Sequence, residues 1–361
     1  MMSRVLQMSW ISIACALALS ACANDFDKPT LISHPMLLGL RASVVGDPQR
    51  ATPAPGEDVV VQVEMAGPRG SYKADQLSTM MVECGFPDRF AGIPICQEFL
   101  DLASLPPDQL KNMFGDLMVA PGEVHIPCDG NISAEALGVT LNCIAGPPNL
   151  EFTVREDVKP GDRLLRGVVC TKGQAVFDPS LPELFGCDGG DEKSALPFHT
   201  RLSVSWDGQA RNNNPDIAEL KLTMNGRAFD KMADPSFPKK SCVDAAQKSE
   251  LILIDPFDQE IEFVVPKKAR EKLSGGGREN WELTVYASAG DVLRRFTLFT
   301  DEDTKDLGDP AMKSVVWDGS DAVKMFGTSK LVDFWITVRD QRGGFAVLPR
   351  SACVELPEAL E

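Results

Sequence analysis

Apolar and polar residues alternate with a period of two along much of this chain. Val59, Val61, Val63 and Met65 fall on one face, with Gln62 and Glu64 on the other. Leu202, Val204 and Trp206 alternate with Ser203 and Ser205, and Val332, Phe334, Ile336 and Val338 alternate with Asp333, Trp335, Thr337 and Arg339. Period-two alternation predicts strands with one buried and one solvated face. The turns agree: Pro55-Gly56-Glu57, Pro121-Gly122-Glu123 and Pro160-Gly161-Asp162 each precede an apolar run. Proline presets the first central position of a type II turn, and glycine supplies the positive φ of the second. Many short strands separated by such turns predict an all-β fold of sandwich or barrel type.

One stretch departs from this period. After Pro107, residues Leu110, Met113, Phe114 and Leu117 recur at helical spacing, which predicts a short helical insertion over about residues 96–118. An amphipathic stripe of this kind usually packs on its own core; a partner-binding helix is the alternative.

An internal repeat predicts two domains. His34 to Gly46 aligns without gaps to Asn214 to Gly226, matching Pro35 with Pro215, Leu40 with Leu220, Arg41 with Lys221, Ser43 with Thr223 and Gly46 with Gly226. Each copy reads as the first strand of a sandwich. The expected organisation is therefore a first domain over 34–206, a linker over 207–213, a second domain over 214–356 and a tail over 357–361.

The first residues carry a different signal. Arg4 precedes the almost wholly apolar run Ile11–Ala18, which is too short to span a bilayer and fits a secretory signal core. It ends in Leu19-Ser20-Ala21-Cys22. This tetrapeptide resembles the lipobox of bacterial lipoproteins. The resemblance implies a signal peptide over 1–21, cleavage before Cys22 and lipid (diacylglycerol, then palmitate) on that cysteine. Ala23 stands where an aspartate would favour the inner membrane, so the outer membrane is expected. Residues 22–33 read as a polar tether.

Export sets the redox compartment, where cysteines tend to pair. Of ten cysteines, Cys15 leaves with the signal and Cys22 takes lipid. Pairing in sequence order predicts Cys84–Cys96, Cys128–Cys143, Cys170–Cys187 and Cys242–Cys353. Cys84 and Cys170 each end an apolar strand, with a partner in the following loop; a Cys84–Cys170 bridge between sheets is the competitor. No C-x-x-C spacing suggests zinc.

The Pro-Gly-Glu turn before an alternating strand resembles the opening of bacterial immunoglobulin-like domains. Phe334 to Gly344 is similar to the final hairpin of PKD-like and cadherin-like sandwiches, and Trp317-Asp318-Gly319 resembles the PKD tryptophan motif. The whole resembles Gram-negative surface lipoproteins built from such modules. The resemblance implies two immunoglobulin-like β-sandwich domains and no particular activity.

Charge and chemistry narrow the function. The chain has 36 basic against 52 acidic residues, a net charge of −16, a field that as a whole repels nucleic acid and anionic lipid headgroups. The histidines are His34, His125 and His199, and no G-x-S-x-G elbow accompanies them. Calcium is the one metal suggested: Asp301, Asp303, Asp306 and Asp309 concentrate hard oxygen ligands in one acidic run. Trp335, opposite the Val/Phe/Ile face of its strand, is a candidate platform for stacking a sugar. The expected function is a lipid-anchored, non-catalytic envelope protein with a structural, adhesion or scaffolding role toward another envelope protein. A calcium- or glycan-binding surface module is the second reading, and an extracytoplasmic enzyme the third.

Overall fold

The computed structural model describes residues 29–355, apart from 69, 73, 87–95, 97–128, 135–138, 160, 178–184, 206–210, 307 and 324–328. The expected helical stretch after Cys96, His125 and Trp206 lie outside the described residues. The fold is mostly β-sheet. In the first half of the chain the strands are β1 (Met36–Val44), β2 (Asp58–Gly67), β3 (Gly70–Ser71), β4 (Ser78–Gly85), β5 (Asp129–Ala134), β6 (Val139–Gly146), β7 (Asn149–Thr153), β8 (Gly161–Cys170), β9 (Gln174–Phe177), β10 (Phe185–Asp188) and β11 (Ala195–Val204). The second half adds β12 (Lys221–Met224), β13 (Arg227–Ala228), β14 (Ile252–Ile254), β15 (Gln259–Val265), β16 (Trp281–Ala287) and β17 (Asp291–Val292). It ends with β18 (Phe296–Phe299), β19 (Ala311–Asp318), β20 (Ser329–Arg339) and β21 (Phe345–Glu355). Two short helices matter below, α1 (Val243–Ser249) and α2 (Asp301–Asp306).

No described sheet mixes strands from the two halves. A first sheet holds β1, β2, β3 and β7; a second runs β11-β8-β4-β6-β5; β9 and β10 form a separate hairpin. A third sheet runs β13-β12-β15-β19-β17 and a fourth β14-β21-β20-β16-β18. The change from one set to the other falls between Val204 and Lys221, around the expected linker. The repeated segments do open the two halves, as β1 and β12.

The alternation on β2 packs as read. Val59, Val61, Val63 and Met65 join Leu150 and Phe152 of the same sheet against Met81, Leu165, Val169 and Leu202 of the second sheet. The turn before β2 has Gly56 at φ 82°, the positive value that a type II turn asks of its glycine. In the second half, Ile261, Phe263, Val315 and Trp317 of the third sheet pack on Leu283, Val285, Phe334 and Ile336 of the fourth. Buried tryptophans find partners for their N–H groups: Trp317 donates to the Ala289 carbonyl at 2.8 Å and Trp281 to Glu279 Oε1 at 2.7 Å. Each such bond avoids the cost of an orphaned buried donor, about 1–3 kcal/mol.

The expectation of one solvated face does not hold for every strand. On β8 every residue from Leu164 to Cys170 is buried, because the hairpin and two disulfides cover the outer side of the second sheet. Met80, Val82, Leu164 and Val168 pack there with Ala175 and Phe185. On β20 the supposedly solvated residues Asp333, Thr337 and Trp335 are buried as well. The cover of Trp335 comes from the other half of the chain, where Ile32, Leu38 and Ala66 pack against it and Phe345, while Asp333 is bonded by Lys239 and Ser351 of its own half. Burying each of those large rings contributes on the order of 1.5–3 kcal/mol. Gly39 fits this seam because a Cβ there would meet the Phe345 ring at 2.5 Å.

The tether is shorter than expected. Ile32 is fully buried, and residues 30–32 bond to the end of β16, with Ile32 N donating to Ala287 O at 2.8 Å and Ala287 N to Thr30 O at 2.9 Å. An apolar side chain and free strand-end backbone groups both gain from that docking. The expected linker is likewise ordered where it is described. Asn212 and Asn214 are buried. Asn214 donates to Ala42 O of β1 at 2.8 Å and accepts from Phe345 N of β21 at 3.0 Å, so one side chain joins the two halves. Asn212 donates to Asp340 Oδ2 at 2.7 Å, while Asp340 Oδ1 accepts from Arg342 N and Gly344 N at 2.8 Å each. Asp340 thus closes the β20–β21 turn and holds the junction together.

Candidate functional site

A cleft of about 530 Å³ lies between the two halves. Arg41, Gln62 and Glu64 of β1 and β2 form one wall; Asp216, Asp230 and Arg350 form the other, over an apolar floor that includes Phe345 and Leu348. The alternation of β2 sends Gln62 and Glu64 away from the sandwich core and into this space. The Arg350 guanidinium donates to Phe229 O at 3.0 Å and Pro349 O at 2.7 Å. Burial lowers its pKa, with Asp230 opposing the shift. Arg41 donates to Pro48 O at 3.2 Å. Burial pushes the Glu64 carboxyl above its ordinary range, with Arg41 opposing. Mixed charges over an apolar floor can hold a small polar ligand. The described lining contains no histidine, cysteine or serine, so what it offers is hydrogen bonding and charge.

None of the cleft was read from sequence as a site. Arg41 was visible only as one matched position of the repeat, and the other lining residues come from segments far apart in the chain.

The acidic run is not an open loop. Asp301–Asp306 forms α2, and its Asp301 and Asp303 carboxylates are engaged by the protein. Asp303 Oδ2 accepts from Thr300 N at 2.6 Å and from Thr300 Oγ1 at 3.0 Å, while Asp303 N donates back to Thr300 Oγ1 at 3.4 Å. This is a reciprocal cap of the kind that starts helices. Asp303 Oδ1 lies 2.6 Å from Lys313 Nζ. Burial works against the Asp303 charge, but the bonds from Lys313 and Thr300 outweigh it and hold the carboxyl below its usual range. Asp301 accepts from Arg278 N at 2.9 Å and lies 3.7 Å from buried Arg270. Asp309 accepts from Lys267 N at 2.8 Å. The Asp306 side chain lies outside the described residues. Among the described residues no group of three or more His, Cys, Asp or Glu is arranged to hold a metal ion.

Replacing Asp303 by Asn is therefore expected to cost about 1–2 kcal/mol, by loss of the charged cap and the ion pair. The loss should be the same with calcium and with a chelator. Thermal melts of both proteins in both conditions check it; a loss seen only with calcium would put a calcium site at α2.

Three expected disulfides are present: Cys84–Cys96, Cys170–Cys187 and Cys242–Cys353, with Cα–Cα distances of 5.5, 5.7 and 5.9 Å. The competing Cys84–Cys170 bridge is thereby overturned, since Cys84 pairs with Cys96 and Cys170 with Cys187 of β10. Cys143 is also disulfide-bonded; its expected partner, Cys128, lies outside the described residues. Cys22 lies outside them too. Of the histidines, His34 and His199 are exposed. Trp335 cannot act as an open sugar platform: it is 2% exposed, with its indole N–H donating to Ser71 Oγ at 3.0 Å.

No protein-family model matches the chain, and no curated protein matches it. Among solved structures the chain is similar to the native conformation of E. coli alpha-2-macroglobulin, at 9% identity and a TM-score of 0.20. That match covers 89% of this chain and 17% of the other, so the chain spans less than a fifth of that protein. It is also similar to the D0-D1 domain of intimin, at 10% identity over 88% of this chain and 98% of that one, with a TM-score of 0.20. A third is the C-terminal domain of the Streptococcus agalactiae AgI/II polypeptide BspA, at 9% identity over 87% and 99%, with a TM-score of 0.17. Likenesses at such scores establish no shared topology or activity.

Proposed function

We propose that this chain is a lipid-anchored, non-catalytic protein of the cell envelope. It is built from two immunoglobulin-like sandwiches that meet near residues 205–220, and it holds or presents another envelope protein. The observation that carries this reading is the junction. Asn212, Asn214 and Asp340 are buried and bonded to both halves, and Trp335 and Phe345 are sealed under Ile32 and Leu38. A scaffold needs two modules held at a fixed angle, and an apolar seam with satisfied polar groups supplies that. Three disulfides suit an oxidising compartment outside the cytoplasm; the lipobox-like Leu19-Ser20-Ala21-Cys22 supplies the anchor, and Ala23 after it favours the outer membrane. Crosslinking in intact membranes, followed by pulldown of the full lipidated chain, should recover the same one or two envelope proteins each time. Recovery of no partner above a control lipoprotein would contradict a scaffolding role.

A ligand-binding role is the second reading, and the mixed-charge cleft favours it. Its carboxylates and guanidinium groups suit the hydroxyls of a small glycan better than a bare calcium ion, since two arginines share the space.

A further inference from the structure

The tip between β17 and β18 combines features found nowhere else among the described residues. The chain leaves the third sheet at Leu293, whose N–H bonds to Val316 O at 2.9 Å, and enters the fourth at Phe296, opposite Thr284. Leu293-Arg294-Arg295-Phe296 therefore crosses the open edge of the sandwich. Leu293 is 62% and Phe296 55% exposed, and both arginines between them are exposed. The other described arginines each hold a hydrogen bond or a charged or carbonyl partner, such as Glu57 for Arg50, Asp162 for Arg201, Leu253 O for Arg227 and Glu271 for Arg342. Arg294 and Arg295 have no such partner among the described residues. In a chain of net charge −16, two adjacent unpaired arginines flanked by two exposed apolar side chains form a local site for an anionic, partly apolar surface.

The position of this tip selects the surface. Thr30 Oγ1 lies 3.5 Å from Asp291 Oδ1, and Thr30 O bonds to Ala287 N. The chain arriving from Cys22 thus enters the folded body two residues from Leu293, a span of about 7 Å. The eight residues from Cys22 to Thr30 can reach at most about 29 Å even when fully extended. With lipid on Cys22, this end of the second sandwich is held close to the bilayer. We infer that Leu293-Arg294-Arg295-Phe296 docks on anionic lipid headgroups of the membrane that carries the anchor. The arginines pair with lipid phosphates, Leu293 and Phe296 enter the interface, and the acidic remainder of the body is turned away. The inference rests on the lipid-anchor reading and adds an orientation to it.

The test uses the full lipidated chain, reconstituted into vesicles of phosphatidylcholine alone or of phosphatidylcholine mixed with phosphatidylglycerol. Acyl mass on the Cys22 peptide and retention on phosphatidylcholine vesicles report the anchor by itself. Amide hydrogen exchange across residues 293–299 reports the tip, with the segment around Lys272 as reference. On phosphatidylglycerol vesicles the tip amides should exchange more slowly by up to roughly thirtyfold, the factor two arginines near an anionic surface supply. The protection should vanish in high salt and in R294E/R295E, which touches only exposed, unpartnered side chains. Equal exchange on both vesicle types would overturn the inference. Protection that appears without vesicles in concentrated protein would overturn it too, in favour of contact with a second, acidic copy of the chain.

Discussion

Replacing Cys242 and Cys353 together by alanine is expected to lower the unfolding free energy by roughly 4–5 kcal/mol. The bridge spans 111 residues, and the entropy that a crosslink removes from the unfolded chain grows with the loop it closes. The two shorter bridges, over 12 and 17 residues, are worth about 3 kcal/mol each on the same scale. The native contacts point the same way. Cys242 sits at the start of α1 and Cys353 in the last strand, both fully buried, in a small cluster with Ala246, Leu251 and Leu331. That cluster lies outside the main core, so α1 has little else to hold it, whereas β14 also buries Ile252 and Ile254 in the main core. β14 adds only three residues to the sheet, in parallel to β21. Alanine at both positions avoids burying unpartnered hydroxyls and keeps the measured loss close to that of the crosslink. Chemical denaturation of the double variant should show a lower midpoint and early exchange of α1 and β14 amides. A midpoint equal to that of the oxidised parent would show that the bridge adds no stability.

Local periodicity carried much of this fold, and its failures share one cause. A period of two reports the face a strand turns to its own core, and on β2 that was enough. On β20 the same pattern left Asp333, Trp335 and Thr337 marked as solvated, yet all three are buried by residues nearly three hundred positions away or by neighbours in the sheet. No window along the chain can show cover that arrives from the other half. The polar tether and the asparagine-rich junction were misjudged for the same reason. Asn212 falls in the expected linker and Asn214 opens the second half, and only the positions of Asp340, Ala42 and Phe345 make them buried connectors.

The acidic run is a different case, because its signal was available. Thr300-Asp301-Glu302-Asp303 has the spacing of a capping box, and Thr300 and Asp303 form one. The same run also concentrates the carboxylates that suggested a calcium loop. The disulfides were the most legible feature, because each short pair joins a strand end to a cysteine fewer than twenty residues further on. The cleft was the least legible, since its charged walls come from both halves and meet only through the seam.

The anchor is the claim on which the rest depends, and its predicted effect is complete. Diacylglycerol plus an amide-linked chain on Cys22 would place several acyl chains in the bilayer. At about 0.8 kcal/mol per buried CH₂, more than one chain is needed for stable attachment, and this supplies it. No other anchor is invoked: the Leu293–Phe296 tip sets orientation and would not retain a chain of net charge −16 on a membrane by itself. The direct measurement is membrane fractionation with mass analysis of the Cys22 peptide, for the parent chain and for Cys22→Ala. The account predicts acyl mass on Cys22 and full membrane association in the parent, with both lost in the variant. A variant that remains in the membrane fraction like the parent, or a parent whose Cys22 carries no lipid, would contradict it.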